Sequence, residues 1–108
     1  MYHQVLVKEE DQHSQRFLWR DGDSTREPDI FVTRVMTFGA TCSPSCAQFV
    51  KNFNAERFEQ QFPEAVACIT RDHYVDDMLT SLESEIEATK VACAVRYIHS
   101  TAGFEIRN

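Results

Sequence analysis

Long apolar runs are absent from this 108-residue sequence: none approaches the length that spans a bilayer, and the first residues carry no secretory leader. An intracellular, cytoplasmic protein is the expectation. A cysteine framework is absent too. Cys42 and Cys46 flank Ser43-Pro44-Ser45, whereas Cys68 and Cys93 stand alone in apolar surroundings, as buried thiols do. None of His3, His13, His73 and His99 is spaced to complete a zinc pattern with them. Reduced, structural thiols are therefore expected.

Basic residues are scarce as well, 11 Lys+Arg against 17 Asp+Glu, for a net charge of −6. Residues 1–63 carry seven against nine and residues 64–108 four against eight, so the deficit deepens along the chain. A surface that grips a phosphate backbone needs clustered Lys and Arg. This balance fits cation binding, or membership of a larger assembly whose basic surfaces lie elsewhere. With 43% hydrophobic residues and neither repeat nor low-complexity linker, the chain suits one domain with a modest core.

Three runs favour strands. Gln4–Val7 is the first, Arg16–Arg20 the second, and Ile30–Phe38 the third and strongest. Asp21-Gly22-Asp23-Ser24 is a turn signal between the last two, with a polar connection around Arg26-Glu27-Pro28. Helical spacing then takes over: Cys46, Phe49, Val50 and Phe53 fall at i, i+3, i+4 and i+7, with Ser43 as N-cap and Pro44 at the first helical position. Pro63 ends or redirects that helix, and Glu64–Thr70 fits either a short helix or a strand. A second helix begins at Ser84-Glu85-Ile86-Glu87, a capping-box spacing. It turns Ala88, Val91, Ala92, Val95, Ile98 and Ala102 to the core and stops at Gly103. Phe104–Arg107 reads as a closing strand. Strands, helix, acidic hairpin, helix and strand together predict an α+β layer, an antiparallel sheet with two packed helices.

Between the helices lies Arg71-Asp72-His73-Tyr74-Val75-Asp76-Asp77-Met78-Leu79-Thr80. Its adjacent carboxylates have apolar neighbours, with Tyr74-Val75 and Met78-Leu79 expected as short flanking strands. In a regular strand Asp76 and Asp77 point to opposite faces, but at a hairpin tip both can approach one ligand. Mg²⁺ takes hard oxygen ligands from one or two carboxylates and from phosphates. A pair of such ions stabilises both the attacking and the leaving oxygen in phosphoryl transfer. A solvated Asp-Asp turn is the ordinary alternative. Tyr-Val-Asp-Asp occurs by chance in on the order of one chain in a thousand of this length at average residue usage.

Three segments in order sharpen the reading: Met1-Tyr2-His3-Gln4-Val5, Phe38-Gly39-Ala40-Thr41-Cys42-Ser43-Pro44, and Tyr74-Val75-Asp76-Asp77. Together they resemble the successive palm motifs of reverse transcriptases. With the Trp19-Arg20-Asp21-Gly22-Asp23 turn they resemble most the Pao/BEL group of LTR retrotransposon polyproteins, over essentially the whole chain. The resemblance implies a partial polymerase palm over residues 1–108, with Asp76 and Asp77 as catalytic, metal-binding carboxylates supported by Tyr74 and Val75. Two Mg²⁺ ions, or Mn²⁺ in their place, are implied as cofactors. Tyr2 is implied as a steric gate under the incoming sugar, and Phe38 and Gly39 as contacts to the nascent pair and the nucleotide. Implied partners are an RNA or DNA template-primer, dNTPs and the remainder of the polyprotein, with no membrane; the implied location is a cytoplasmic virus-like particle.

The family carries a further aspartate a few residues before the Tyr-His-Gln segment, which this sequence lacks. The expectation is thus a palm fragment cut at both ends, without fingers, thumb or ribonuclease H regions, and inactive alone. A non-catalytic remnant acting as an interaction or nucleic-acid-binding module is the alternative. A metal-dependent hydrolase with His73 as its adjacent base is a third, although His73 is expected to pack beside its strand. Trp19 receives no role beyond core or interface packing, and Arg16, Arg20 and Arg34 are expected to be solvated.

Overall fold

Ser84 starts the longest helix by the chemistry its sequence announces. Its extended backbone turns the side chain inward, and Ser84 Oγ accepts a hydrogen bond from the Glu87 N–H at 3.2 Å. In the computed structural model, which describes residues 1–107, this helix, α4, runs Glu85–Thr101. It stops because Gly103 takes φ +76, a left-handed conformation that a Cβ would strain. The Gly103 N–H donates to the Ser100 carbonyl and the Phe104 N–H to the His99 carbonyl, at 3.1 and 3.0 Å, which closes the helix in a Schellman motif.

Pro63 opens another helix, α3 (Pro63–Arg71), where its missing N–H is harmless. The segment left open between helix and strand is therefore helical. It buries Ala65, Val66, Cys68 and Ile69 against Val91, Val95 and Ile98 of α4. The helix before it, α2 (Ser43–Glu56), follows the short α1 (Glu9–Gln12) and occupies the expected span with a different inner face. Phe49 and Phe53, expected in the core, are 68% and 60% exposed and stack on each other at 6.1 Å. The buried positions are Ser43, Ala47, Lys51, Asn54 and Ala55. Small Ala47 and Ala55 give close access to the neighbouring elements. Lys51 Nζ donates to the Ile69 carbonyl at 2.7 Å, and Asn54 Nδ2 to the Ile98 carbonyl at 2.9 Å. Ser43 is one residue inside the helix rather than its cap, and its Oγ donates to the Thr37 carbonyl at 2.6 Å.

The strands are shorter than expected. β1 (Arg16–Trp19) pairs antiparallel with β2 (Asp29–Val32), from Arg16 opposite Val32 to Trp19 opposite Asp29. The strand predicted to reach Phe38 ends at Val32. Beyond it the Gln15 side-chain amide donates to the Thr33 and Val35 carbonyls at 3.2 and 3.3 Å, taking acceptors that a longer ladder would need. Gln4–Val7 is not a full strand either: Tyr2–Gln4 is a 3-10 turn, after which Leu6 makes a single antiparallel bridge to Val35. Phe104–Arg107 forms no strand; Phe104 turns into a second core with Tyr2, Val5, Met36 and Ala47. β3 (His73–Tyr74) and β4 (Asp77–Met78) form the acidic hairpin. The architecture is mixed α+β, with four α-helices and two separate two-stranded antiparallel sheets among the described residues, not the single sheet expected. All four cysteines are free; Cys68 is buried as expected, and Cys93 is exposed on α4. No helix among the described residues is long and apolar enough to cross a membrane.

Candidate functional site

The acidic hairpin pairs His73 with Met78 and Tyr74 with Asp77, so its two-residue turn is Val75-Asp76, one residue earlier than an Asp76-Asp77 tip. Val75 holds φ +54 at the first central position, where a two-residue turn of this kind takes glycine. A β-branched residue there is a true outlier, strained by about 1–3 kcal/mol. Its side chain is half-buried against the Tyr2, Val5, Met36 and Phe104 cluster, and that packing holds the strained turn in place.

The shift separates the two acids. Asp76 sits in the turn, 60% exposed, with Oδ1 3.8 Å from the Met1 ammonium. It borders a cavity of about 400 Å³ shared with His73, His99, Phe104 and Glu105. Asp77 lies in β4, exposed, and does not line that cavity. Asp76 thus stands at the tip and Asp77 one residue beyond it, at the start of β4, rather than both at the tip.

Other residues singled out by the sequence do converge. The Tyr2 and Phe38 rings meet at 5.0 Å, His3 packs edge-on against Phe38 at 5.5 Å, and Val75 joins the Tyr2 cluster from the hairpin. Segments around residues 2, 38 and 75 thus meet at one place. Within it Tyr2 is only 9% exposed, while Phe38 is 70% exposed, so Phe38 is the ring a ligand meets first. Gly39 takes φ +91, which the bend before α2 uses, and leaves open space where a Cβ would stand. Tyr74 is exposed in β3, and Trp19 is exposed on the β1–β2 hairpin.

Sequence alone assigns Lys51 no role, sets His99 aside as a zinc ligand, and offers His73 as a packing residue or, in a third alternative, the base of a hydrolase. Buried Lys51 from α2 and His99 from α4 and half-buried His73 from β3 form a basic group. His73 Nε2 lies 3.2 Å from His99 Nε2. Burial holds the Lys51 ammonium down to about 8. Burial first, and then the Lys51 charge, hold His73 at about 4. Burial, His73 and Lys51 do the same for His99, also to about 4. Both imidazoles are therefore neutral at neutral pH. A signal was available: Ala47, Lys51 and Ala55 recur every four residues, and His99 stands four after Val95 on the stripe that holds Val91.

Asp76 and Asp77 offer hard oxygen donors free of hydrogen-bonded partners among the described residues, and the exposure of both leaves room for water and phosphate ligands. That set suits one Mg²⁺ or Mn²⁺ held by carboxylate, water and substrate oxygens. Among the described residues no group of three or more His, Cys, Asp or Glu is gathered as a metal cluster. No family model matches the chain, and neither a curated protein nor a solved structure matches it.

Proposed function

We propose that this chain is part of the palm of an RNA-directed DNA polymerase of the Pao/BEL retrotransposon type, and that it is inactive in isolation. The observation that supports the reading most is the meeting of three motif segments, distant in sequence, at Tyr2, Phe38 and the Val75-Asp76 turn. A strained β-branched residue at the tip of an acid-bearing hairpin supports it further, because such strain concentrates at functional sites.

In this reading Asp76 and Asp77 would hold Mg²⁺, which when bound supplies electrostatic stabilisation to the oxygens of nucleotidyl transfer. Val75 holds Asp76 at the turn by burying its own side chain. Phe38 offers a ring face for a base or sugar, with Tyr2 supporting it from beneath. Asp76 and Asp77 belong to no group of three or more metal-ligating side chains among the described residues, which leaves the metal site short of ligands. The isolated chain is accordingly expected to give no primer extension above background with Mg²⁺ and dNTPs; extension would overturn the inactivity. The site itself is tested by adding Mg²⁺ and a dNTP to ¹⁵N-labelled protein. Amide shifts at Phe38, Gly39, Asp76 and Asp77 are expected, and they should vanish in Asp76→Asn. Shifts confined to other regions, or none at millimolar nucleotide, would remove the polymerase reading.

The second reading, a non-catalytic interaction module, is favoured by the β1–β2 hairpin, whose Phe17, Leu18, Trp19, Ile30, Phe31 and Val32 are all exposed. Its discriminating observation is binding to a primer–template: a steep fall with salt marks phosphate contacts, while no binding leaves protein–protein interaction.

A further inference from the structure

His73 and His99 reach each other from β3 and α4, 26 positions apart in sequence. Their rings are inclined by 32° with centroids 5.1 Å apart, and their Nε2 atoms are 3.2 Å apart. One imidazole donating to the other is the ordinary account of that distance, at the long end of the hydrogen-bond range. A second account fits equally well. Two nitrogens bound at 2.0–2.1 Å to one tetrahedral ion stand about 3.3 Å apart. The pair thus already holds the spacing of two ligands on one ion.

The surroundings leave room for an ion. His99 is buried, 4% exposed, and His73 is half-buried. Both rings border the cavity of about 400 Å³, which has room for water and carries the Asp76 and Glu105 carboxylates on its rim. Glu105 is engaged by Arg107 at 3.1 Å, which leaves Asp76 the freer of the two.

We propose that His73 and His99 form a binding site for a divalent transition-metal ion, Zn²⁺ in the first instance, whose remaining positions are taken by cavity water. Neutral imidazole suits Zn²⁺ and its neighbours in the first transition row and suits Mg²⁺ poorly, so the ion taken here differs in kind from a hard cation at the hairpin tip. The bound ion ties the first residue of β3 to the last turn of α4 and so fixes the base of the acidic hairpin. The Lys51 ammonium on the α2 side and the Met1 ammonium beside Asp76 oppose it. With two protein ligands, the site is weaker than a four-ligand structural zinc. The inference does not depend on the polymerase reading.

The test is a ZnCl₂ titration of the whole chain, labelled with ¹⁵N-histidine and with its cysteines alkylated, at pH 7.5. Both Nε2 resonances of His73 and His99 should move together and saturate at one equivalent. The midpoint of thermal unfolding should rise by several degrees at saturation, and MgCl₂ at the same concentration should do neither. His99→Gln should remove the response at His73, and His73→Gln the response at His99, so misfolding of one variant leaves the other to report. Nε2 resonances that stay fixed to millimolar Zn²⁺, or shifts confined to His3 and His13, would show the pair to be a hydrogen bond only and overturn the proposal.

Discussion

Burying an ammonium group is costly unless it is hydrogen-bonded, and Lys51, 1% exposed, makes one bond, to the Ile69 carbonyl. That carbonyl is one of the last in α3, where helix acceptors lack partners and the dipole favours a cation. Lys51 therefore acts as a C-terminal cap supplied by another helix, and its charge adds to the burial that keeps protons off His73 and His99. The pH dependence follows from values below the ordinary 6.5 in the folded chain, about 4 for both imidazoles. The unfolded chain binds the extra protons, so the pair's contribution is complete above pH 6.5, declines as pH falls toward 4, and is level below that. Urea unfolding should accordingly show a midpoint that drops between pH 6.5 and 4, with a smaller drop in His99→Leu. An unchanged midpoint across that window would refute the burial of neutral imidazoles. The sequence did not show that these three side chains meet. A lysine between two alanines reads as a solvated residue until its partner carbonyl, eighteen positions away, is known.

Elements were legible in proportion to how local their determinants are. Ser84 with Glu87, and Gly103 after an apolar stripe, fixed both ends of α4 because caps are decided within four or five residues. Ser84→Ala should cost about 1 kcal/mol and Gly103→Ala about 1–2 kcal/mol, both read as lowered denaturation midpoints. Ser84→Thr should keep most of the stability. The span of α2 was legible for the same reason, but its inward face was not. Periodicity places Phe49 and Phe53 on one stripe, whereas tight packing selects the stripe of Ala47 and Ala55, and only the neighbouring helices make that choice. The acidic hairpin was legible as a hairpin and misplaced by one residue. Turn chemistry alone puts aspartates at the tip, and what moved Val75 there was burial of its side chain among Tyr2, Val5 and Met36.

The molecule as a whole is long, 63 × 27 × 21 Å, with a radius of gyration of 18.1 Å, where a compact chain of this length has about 13 Å. It exposes 8265 Å², against about 6,200 Å² for a compact monomer of its mass. The β1–β2 hairpin contributes to the difference, since no residue of its strands is buried. A two-stranded hairpin with neither face covered is marginal by itself. Its amides should therefore exchange with solvent hydrogen orders of magnitude faster than those of α3 and α4, whose residues form the main core. Equal protection in hairpin and helices would mean that a partner, or a second copy of the chain, covers the hairpin in solution.

The only tryptophan in the chain, Trp19, sits on that hairpin, 54% exposed and bonded through its indole N–H to Asp21. Its emission is thus a lamp hung outside the house. It reports the hairpin and its polar turn while remaining blind to the helical core. Fluorescence and far-ultraviolet circular dichroism should trace different melting curves for the same sample. Their disagreement would mark two regions that loosen separately, rather than a failed measurement.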